Sequence, residues 1–176
     1  MNQFVELAAK EHGVKRFVLL GGVYELGEGR HVGKLLPAIK ERRKIYTATG
    51  DYKIPFISAM DVARVAFHCL TDDKPHNTAY RVNGPEMLSY DEIAEKPTRC
   101  LRMKIEHVKL DEEARAKQAM EFGTPGEPLA RFLNSLEASG AGLSGDIDIG
   151  NDVEKATGQR PQSFDSFAEE HKNIWL

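Results

Sequence analysis

The chain has 176 residues, 41% of them hydrophobic and 29% charged, a balance that suits one soluble domain with a single core. Its formal net charge of -3 argues against a nucleic-acid partner, because phosphate binding needs a basic face. No apolar run approaches the roughly 20 residues of a membrane span, so no transmembrane helix and no membrane partner are expected.

The first residues, MNQFVELAAKEHG, are amphipathic and carry acids, unlike a signal peptide or a basic transit peptide. Phe4, Leu7, Ala8 and Glu11 mark a short helix closed by Gly13. Phe17 to Leu20 is a continuous apolar run, which predicts a strand buried on both faces of a parallel sheet. Lys34 to Glu41 reads as a helix with Pro37 in its first turn. Lys44 to Thr49 and Lys53 to Ile57 are short strands on either side of a Gly50-Asp51 turn.

Ser58 caps the clearest helix, with Asp61 three residues on and Val62, Val65, Ala66, Cys69 and Leu70 on one stripe. Thr78 to Val82 reads as a strand, and "SYDEIAE" as a capping box in which Ser89 and Glu92 satisfy each other's backbone donors. Lys104 to Leu110 is a strand, and Asp111 caps a helix that ends at Gly123. Residues 124 to 150, rich in Gly, Pro and Ser around a short helix near Leu129 to Leu136, read as the least ordered. Asp152 to Thr157 is helical and stopped by Gly158. Ser163 caps a last helix carrying Phe164, Phe167, Ala168 and His171. Strands alternating with helices indicate an α/β fold in one domain.

Two cysteines, Cys69 and Cys100, lack CxxC or zinc-ligand spacing and fit a reduced, cytoplasmic protein. The six histidines show neither HxxxH nor HExxH spacing and read as surface or core residues, so no metal site is expected. "DIDIGND", Asp146 to Asp152, lacks the glycine and the bidentate glutamate of a calcium loop. No G-x-S-x-G elbow supports a serine nucleophile. A dinucleotide fingerprint needs G-x-G-x-x-G between strand and helix, but here the glycines fall at 21, 22, 27 and 29 with no amphipathic helix behind them. That loop reads as something other than a phosphate cradle.

The stretch "KIYTATGDYKIPFISAMDVARVAFHCLTDDKPHNTAYRVNGPEMLSYDEIAE", then "KIEHVKL" and "KATGQRPQSFDSFAEEHKNIW", resembles a specific group of proteins. It is similar to the carboxy-terminal half of NmrA-like, atypical short-chain dehydrogenase/reductase proteins, nearest to the fungal festuclavine and agroclavine dehydrogenases of ergot-alkaloid pathways. The resemblance implies a truncated Rossmann-like fold. Residues 1–58 would be a remnant of the parallel sheet with its helices, and 59–176 a C-terminal substrate-binding lobe. On that template "RFVLLGG" matches the fifth strand, and "GGVYELGEGRHVGK" matches a loop on the substrate side. The NADP cradle would then lie in βα units that this chain lacks. The Tyr-x-x-x-Lys pair of ordinary members would fall at Arg30 and Lys34, so the lysine is kept and the tyrosine is not.

These readings lead to three functional expectations. The first is a cofactor-independent enzyme of fungal secondary metabolism, an isomerase or cyclase that cyclises, isomerises or rearranges an apolar alkaloid-like molecule by acid/base chemistry in a dry cavity. Tyr24, Glu25, Glu28 and Lys34 would be its catalytic groups, with Arg30, Asp51 and Tyr52 binding substrate and Arg30 or Lys34 stabilising an anion. The second is an NADPH-dependent reductase of the festuclavine dehydrogenase type, and the third a non-catalytic NmrA-like binding protein. A homodimer is expected as well, since an apolar "FVLL" strand left at a sheet edge needs a cover.

Overall fold

The computed structural model describes residues 2–20, 36–101, 103–121, 124–126, 128 and 149–175. In chain order these form α1 (Asn2–His12), a helix α2 over residues 36–42, β1 (Lys44–Thr47), β2 (Ile54–Pro55), α3 (Ala59–Thr71) and β3 (Met87–Leu88). There follow α4 (Tyr90–Leu101), β4 (Glu106–Lys109), α5 (Glu112–Glu121), α6 (Asp152–Thr157), α7 (Phe164–Glu170) and α8 (Lys172–Trp175). The predicted helix at 129–136 and the glycines at 21–29 lie outside the described residues.

The helix ends follow local chemistry. Ser58 Oγ accepts the Asp61 N–H at 3.0 Å and starts α3. At α4 the Ser89 N–H donates to Glu92 Oε2 at 2.7 Å while the Glu92 N–H donates to Ser89 Oγ at 3.3 Å, which is the reciprocal box expected there. Asp111 Oδ1 accepts from Ala114 N at 2.7 Å, and Ser163 Oγ from Ser166 N at 3.2 Å. Asp61 does more than cap. Completely buried, it takes the Ser58 hydroxyl at 2.7 Å and the Gln162 N–H at 2.9 Å on Oδ2, and pairs with Arg64 at 3.0 Å through Oδ1. It thereby ties the start of α3 to the segment leading into α7, 101 residues away.

The strands pair across long distances. β1 runs parallel to β4 in the register Lys44↔Glu106 to Thr47↔Lys109, and β2 lies antiparallel to β3. A parallel pair requires a crossover, and here the crossover contains α3, the β2–β3 pair and α4. The main core sits between this pair and the helices. It comprises Ile39 from α2, Ile45 from β1, Leu88 from β3, Tyr90, Ile93 and Ala94 from α4, Ile105, and Phe164 and Ala168 from α7. A smaller cluster joins Val65 of α3 to Val153 and Ala156 of α6, with Cys69, Tyr80 and Val82 packed around it. Lys96, on the buried side of α4, is paired with Glu86 at 3.2 Å and Asp165 at 2.5 Å.

Two predicted strands are corrected. Phe17 to Leu20 forms no strand among the described residues, and its side chains are exposed, Leu19 at 66% and Leu20 at 63%. An apolar run is buried only where a partner surface exists, and none of the described elements provides a ladder for it. Thr78 to Val82 is likewise no strand; Tyr80 and Val82 pack on the Val65 cluster, and the Arg81 N–H is taken by Asp152 Oδ2 at 3.0 Å instead of by a neighbouring strand.

Gly84 marks the tightest approach of two backbones. A Cβ at this position would lie 1.6 Å from the carbonyl oxygen of Phe56, whose ring packs edge-on against Tyr90 and Phe164. Gly84→Ala must push the two segments apart and disturb that aromatic cluster. We expect a loss of about 2–3 kcal/mol, the upper range for overpacking, seen as a lower urea midpoint with an unchanged m-value.

Candidate functional site

In α/β folds ligands bind beyond the carboxyl ends of parallel strands, where loops diverge and backbone groups are free to face a ligand. Here that end is formed by Thr47 of β1, Lys109 of β4 and the turn that follows β1. Gly50 holds a positive φ of 60° in this turn, and the Tyr52 N–H donates back to the Thr49 carbonyl at 3.3 Å. α4 starts beside it and points Asp91 at β4.

A continuous polar string runs through the site. Asp91 Oδ1 lies 2.9 Å from His107 Nδ1, and His107 Nε2 lies 2.8 Å from Thr47 Oγ1. Thr47 Oγ1 is 2.8 Å from Thr49 Oγ1 and also receives the Thr49 N–H at 3.4 Å. The His107 side chain is only 1% exposed and its ring packs 5.7 Å from that of Tyr90, whereas Asp91 is 47% exposed. Lys109 closes the outer rim by pairing with Asp91 Oδ2 at 3.0 Å and with Asp51. The string thus leads from a solvent-facing carboxylate to two buried hydroxyls.

Lys109 holds the Asp91 carboxyl below the usual carboxylate range, against burial and with help from His107. Asp51 and Asp91 together raise the Lys109 ammonium above its ordinary value. A second string lies at the end of α3, where Asp72 bridges His68 at 2.9 Å and His76 at 3.0 Å, and His76 Nδ1 meets the Tyr80 hydroxyl at 2.6 Å. His76 and then His68 hold Asp72 below its usual value. This string clasps the loop after α3 to its helix. Among the described residues no group of three or more His, Cys, Asp or Glu is arranged to hold a metal ion.

Of the residues singled out from the sequence, Asp51 and Tyr52 lie at this carboxyl end. Asp51 is 85% exposed and paired with Lys109, and Tyr52 is half exposed on the turn. Tyr24, Glu25, Glu28, Arg30 and Lys34 lie outside the described residues. Thr47, Thr49, Asp91, His107 and Lys109 went unnoticed because their spacing carries no pattern: 16 residues separate His107 from Asp91, and 60 separate it from Thr47.

Over 140 residues the chain is 45% identical to festuclavine dehydrogenase of Aspergillus fumigatus, a match that covers 78% of this chain and 48% of the relative. Against festuclavine synthase II of Penicillium roqueforti it is 36% identical in a 205-residue alignment spanning 99% of this chain and 70% of the relative. The chain belongs to the festuclavine and agroclavine dehydrogenase family. It spans about half the length of several curated relatives, 48% of the first named here and 47% of agroclavine dehydrogenase from Claviceps fusiformis. No protein-family model matches it. A solved structure of similar fold is the NADPH-dependent quinone oxidoreductase of Escherichia coli, with a TM-score of 0.69 at 20% identity over 80% of this chain and 50% of that one. The fold is therefore Rossmann-like α/β.

These similarities correct two expectations. The relatives are named as dehydrogenases and the structural neighbour as NADPH-dependent, so cofactor-independent, non-redox isomerase or cyclase chemistry is overturned, and with it the expectation of no cofactor. The absence of a cradle motif is not in itself evidence against redox chemistry. Even so, the described residues do not themselves fit a dinucleotide. No glycine turn among them joins a strand to a helix start, and Gly84, the most crowded glycine, faces a carbonyl oxygen that fills its Cβ position.

Because the Asp91 carboxyl is held low, its ion pairing stabilises the fold above the unfolded carboxylate pKa of about 4 and is lost as pH falls through the folded value. Asp91→Asn is expected to be less stable than the wild type at pH 7. The difference between their urea midpoints should shrink steadily below about pH 4, within the usual carboxylate range.

Proposed function

We propose that this chain supplies the substrate-side part of an NADPH-dependent oxidoreductase of the festuclavine dehydrogenase type, acting on an alkaloid-like small molecule. The observation that supports this reading most is the similarity itself, 36% identity carried along 99% of the chain to a festuclavine synthase. The buried polar string at the carboxyl end of the parallel pair fits a site that orients a small molecule and manages a proton beside it. We propose that residues 59–176 form the substrate-binding lobe, with Asp51, Tyr52 and Arg30 as substrate contacts. Tyr24, Glu25, Glu28 and Lys34, outside the described residues, remain proposed catalytic groups.

The test is a paired titration. NADPH fluorescence is followed first alone and then with a panel of ergot-alkaloid intermediates, and oxidation of the cofactor is read by absorbance. Saturable NADPH binding with alkaloid-dependent oxidation is expected. Alkaloid binding with no NADPH-dependent turnover by the full chain would overturn the oxidoreductase reading.

We also infer a homodimer. Val14, Phe17, Val18, Leu19 and Leu20 are exposed together with Leu7, Phe67 and Leu70, and Arg16 anchors this run to α3 through the carbonyls of Leu70 at 3.0 Å and Asp73 at 3.2 Å. An apolar run held in the open is a ready interface, and a second copy placed across a two-fold axis is the simplest cover. Light scattering at micromolar concentration is expected to give twice the mass of one chain, and Leu19→Asp to return the monomer. A wild-type monomer would remove this inference.

A further inference from the structure

The Asp91–His107–Thr47–Thr49 string has only one donor order that satisfies every buried group. An ionised carboxylate only accepts, so Asp91 requires the proton of His107 on Nδ1, at 2.9 Å. In a neutral imidazole Nε2 then accepts, and the Thr47 hydroxyl must donate to it across 2.8 Å. With its one proton used, Thr47 Oγ1 has two acceptor sites left. The Thr49 hydroxyl at 2.8 Å and the Thr49 N–H at 3.4 Å fill both. Every donor and acceptor of Thr47 is occupied, and the Thr49 hydroxyl proton, at a residue only 1% exposed, has found its acceptor.

We propose that His107 is a positioning residue of this site: fixed as the neutral Nδ1–H tautomer by Asp91, it sets Thr47 and Thr49 in one donor order and so holds the 49–52 turn at the carboxyl end of β1. The effect on catalysis rests on the oxidoreductase reading above; the donor order does not.

Adding a proton to Nε2 reverses the string. Nε2–H now donates to Thr47, Thr47 donates to Thr49, and the Thr49 proton is left without an acceptor among the described residues. A buried donor without a partner is destabilising, so the turn loosens when His107 is charged. The groups facing His107 are Asp91 and the Tyr90 ring from α4, Thr47 from β1, and Lys109 on its own strand, which pairs with Asp91 and with Asp51 of the turn.

The experiment uses the full, ¹⁵N-labelled chain without any ligand. Long-range ¹H–¹⁵N correlation of the ring at pH 7.5 is expected to show His107 as the Nδ1–H tautomer, the less common form in free solution. In Thr47→Val the Tyr52 amide, which donates to the Thr49 carbonyl, is expected to exchange at least tenfold faster. Amides of α6 should stay within twofold, and Thr47→Ser should restore the wild-type rate. If Thr47→Val fails to fold, the wild type alone decides. Its Tyr52 exchange, relative to α6, must rise as pH falls through the observed His107 titration. An Nε2–H tautomer, or Tyr52 exchange indifferent to Thr47 and to the charge on His107, would overturn the proposal. Failure of the NADPH assay leaves these ligand-free readouts intact and counts against the oxidoreductase reading alone.

Discussion

A four-residue parallel ladder, Lys44–Thr47 against Glu106–Lys109, organises most of what is described here. Parallel strands need a long return connection, and this one carries α3, the short antiparallel pair and α4 between the two strands. Ile45 is buried in the centre with Tyr90 and Ile93 of α4 above it. The same pairing places His107 beside Ile45 and Lys109 beside Thr47, so the N-terminus of α4 finds a base and a cation within reach of Asp91. Packing and polar site therefore have one origin. A slip of one residue would turn His107 away from Thr47 and leave a buried hydroxyl unpaired.

Charge is handled differently at each depth of the structure. Asp61, with no exposure at all, is made tolerable by a hydroxyl, a backbone N–H and an arginine. Lys96 is penalised by burial, yet Asp165 and Glu86 more than compensate and raise its pKa. At the rim, Lys109 is shared between two carboxylates in contact with water, where an ion pair adds little stability but defines geometry. Stability is concentrated in the inner groups, and adjustability in the outer ones.

The family relationship changes how the exposed and buried surfaces are understood. A chain spanning about half the length of several relatives still closes two buried clusters, while the apolar run Phe17 to Leu20 lies in the open. That contrast separates two kinds of burial. The core closes with contacts internal to the described elements, and the run at 17–20 calls for a surface they do not offer.

How much was legible in the sequence follows from the range of each interaction. Caps at Ser58, Ser89, Asp111 and Ser163 were readable because donor and acceptor lie three residues apart. The helix over 152–157 and the strands at 44–47 and 106–109 were readable from local pattern. The α/β class followed from their alternation, and the family from long quoted stretches. What paired with what was not legible. An apolar run such as "FVLL" looks the same whether a neighbour covers it or not, and Thr78 to Val82 has strand-like composition but spends its contacts on α3 and α6. His107 was one of six unpatterned histidines until folding brought Asp91 from 16 residues away and Thr47 from 60. By itself the sequence determined most helices, their caps and the family, because those depend on neighbours along the chain. Tertiary structure alone decided the strand partners and the polar string, because hydrogen bonds between distant residues have no local signature until the backbone brings them within 3 Å.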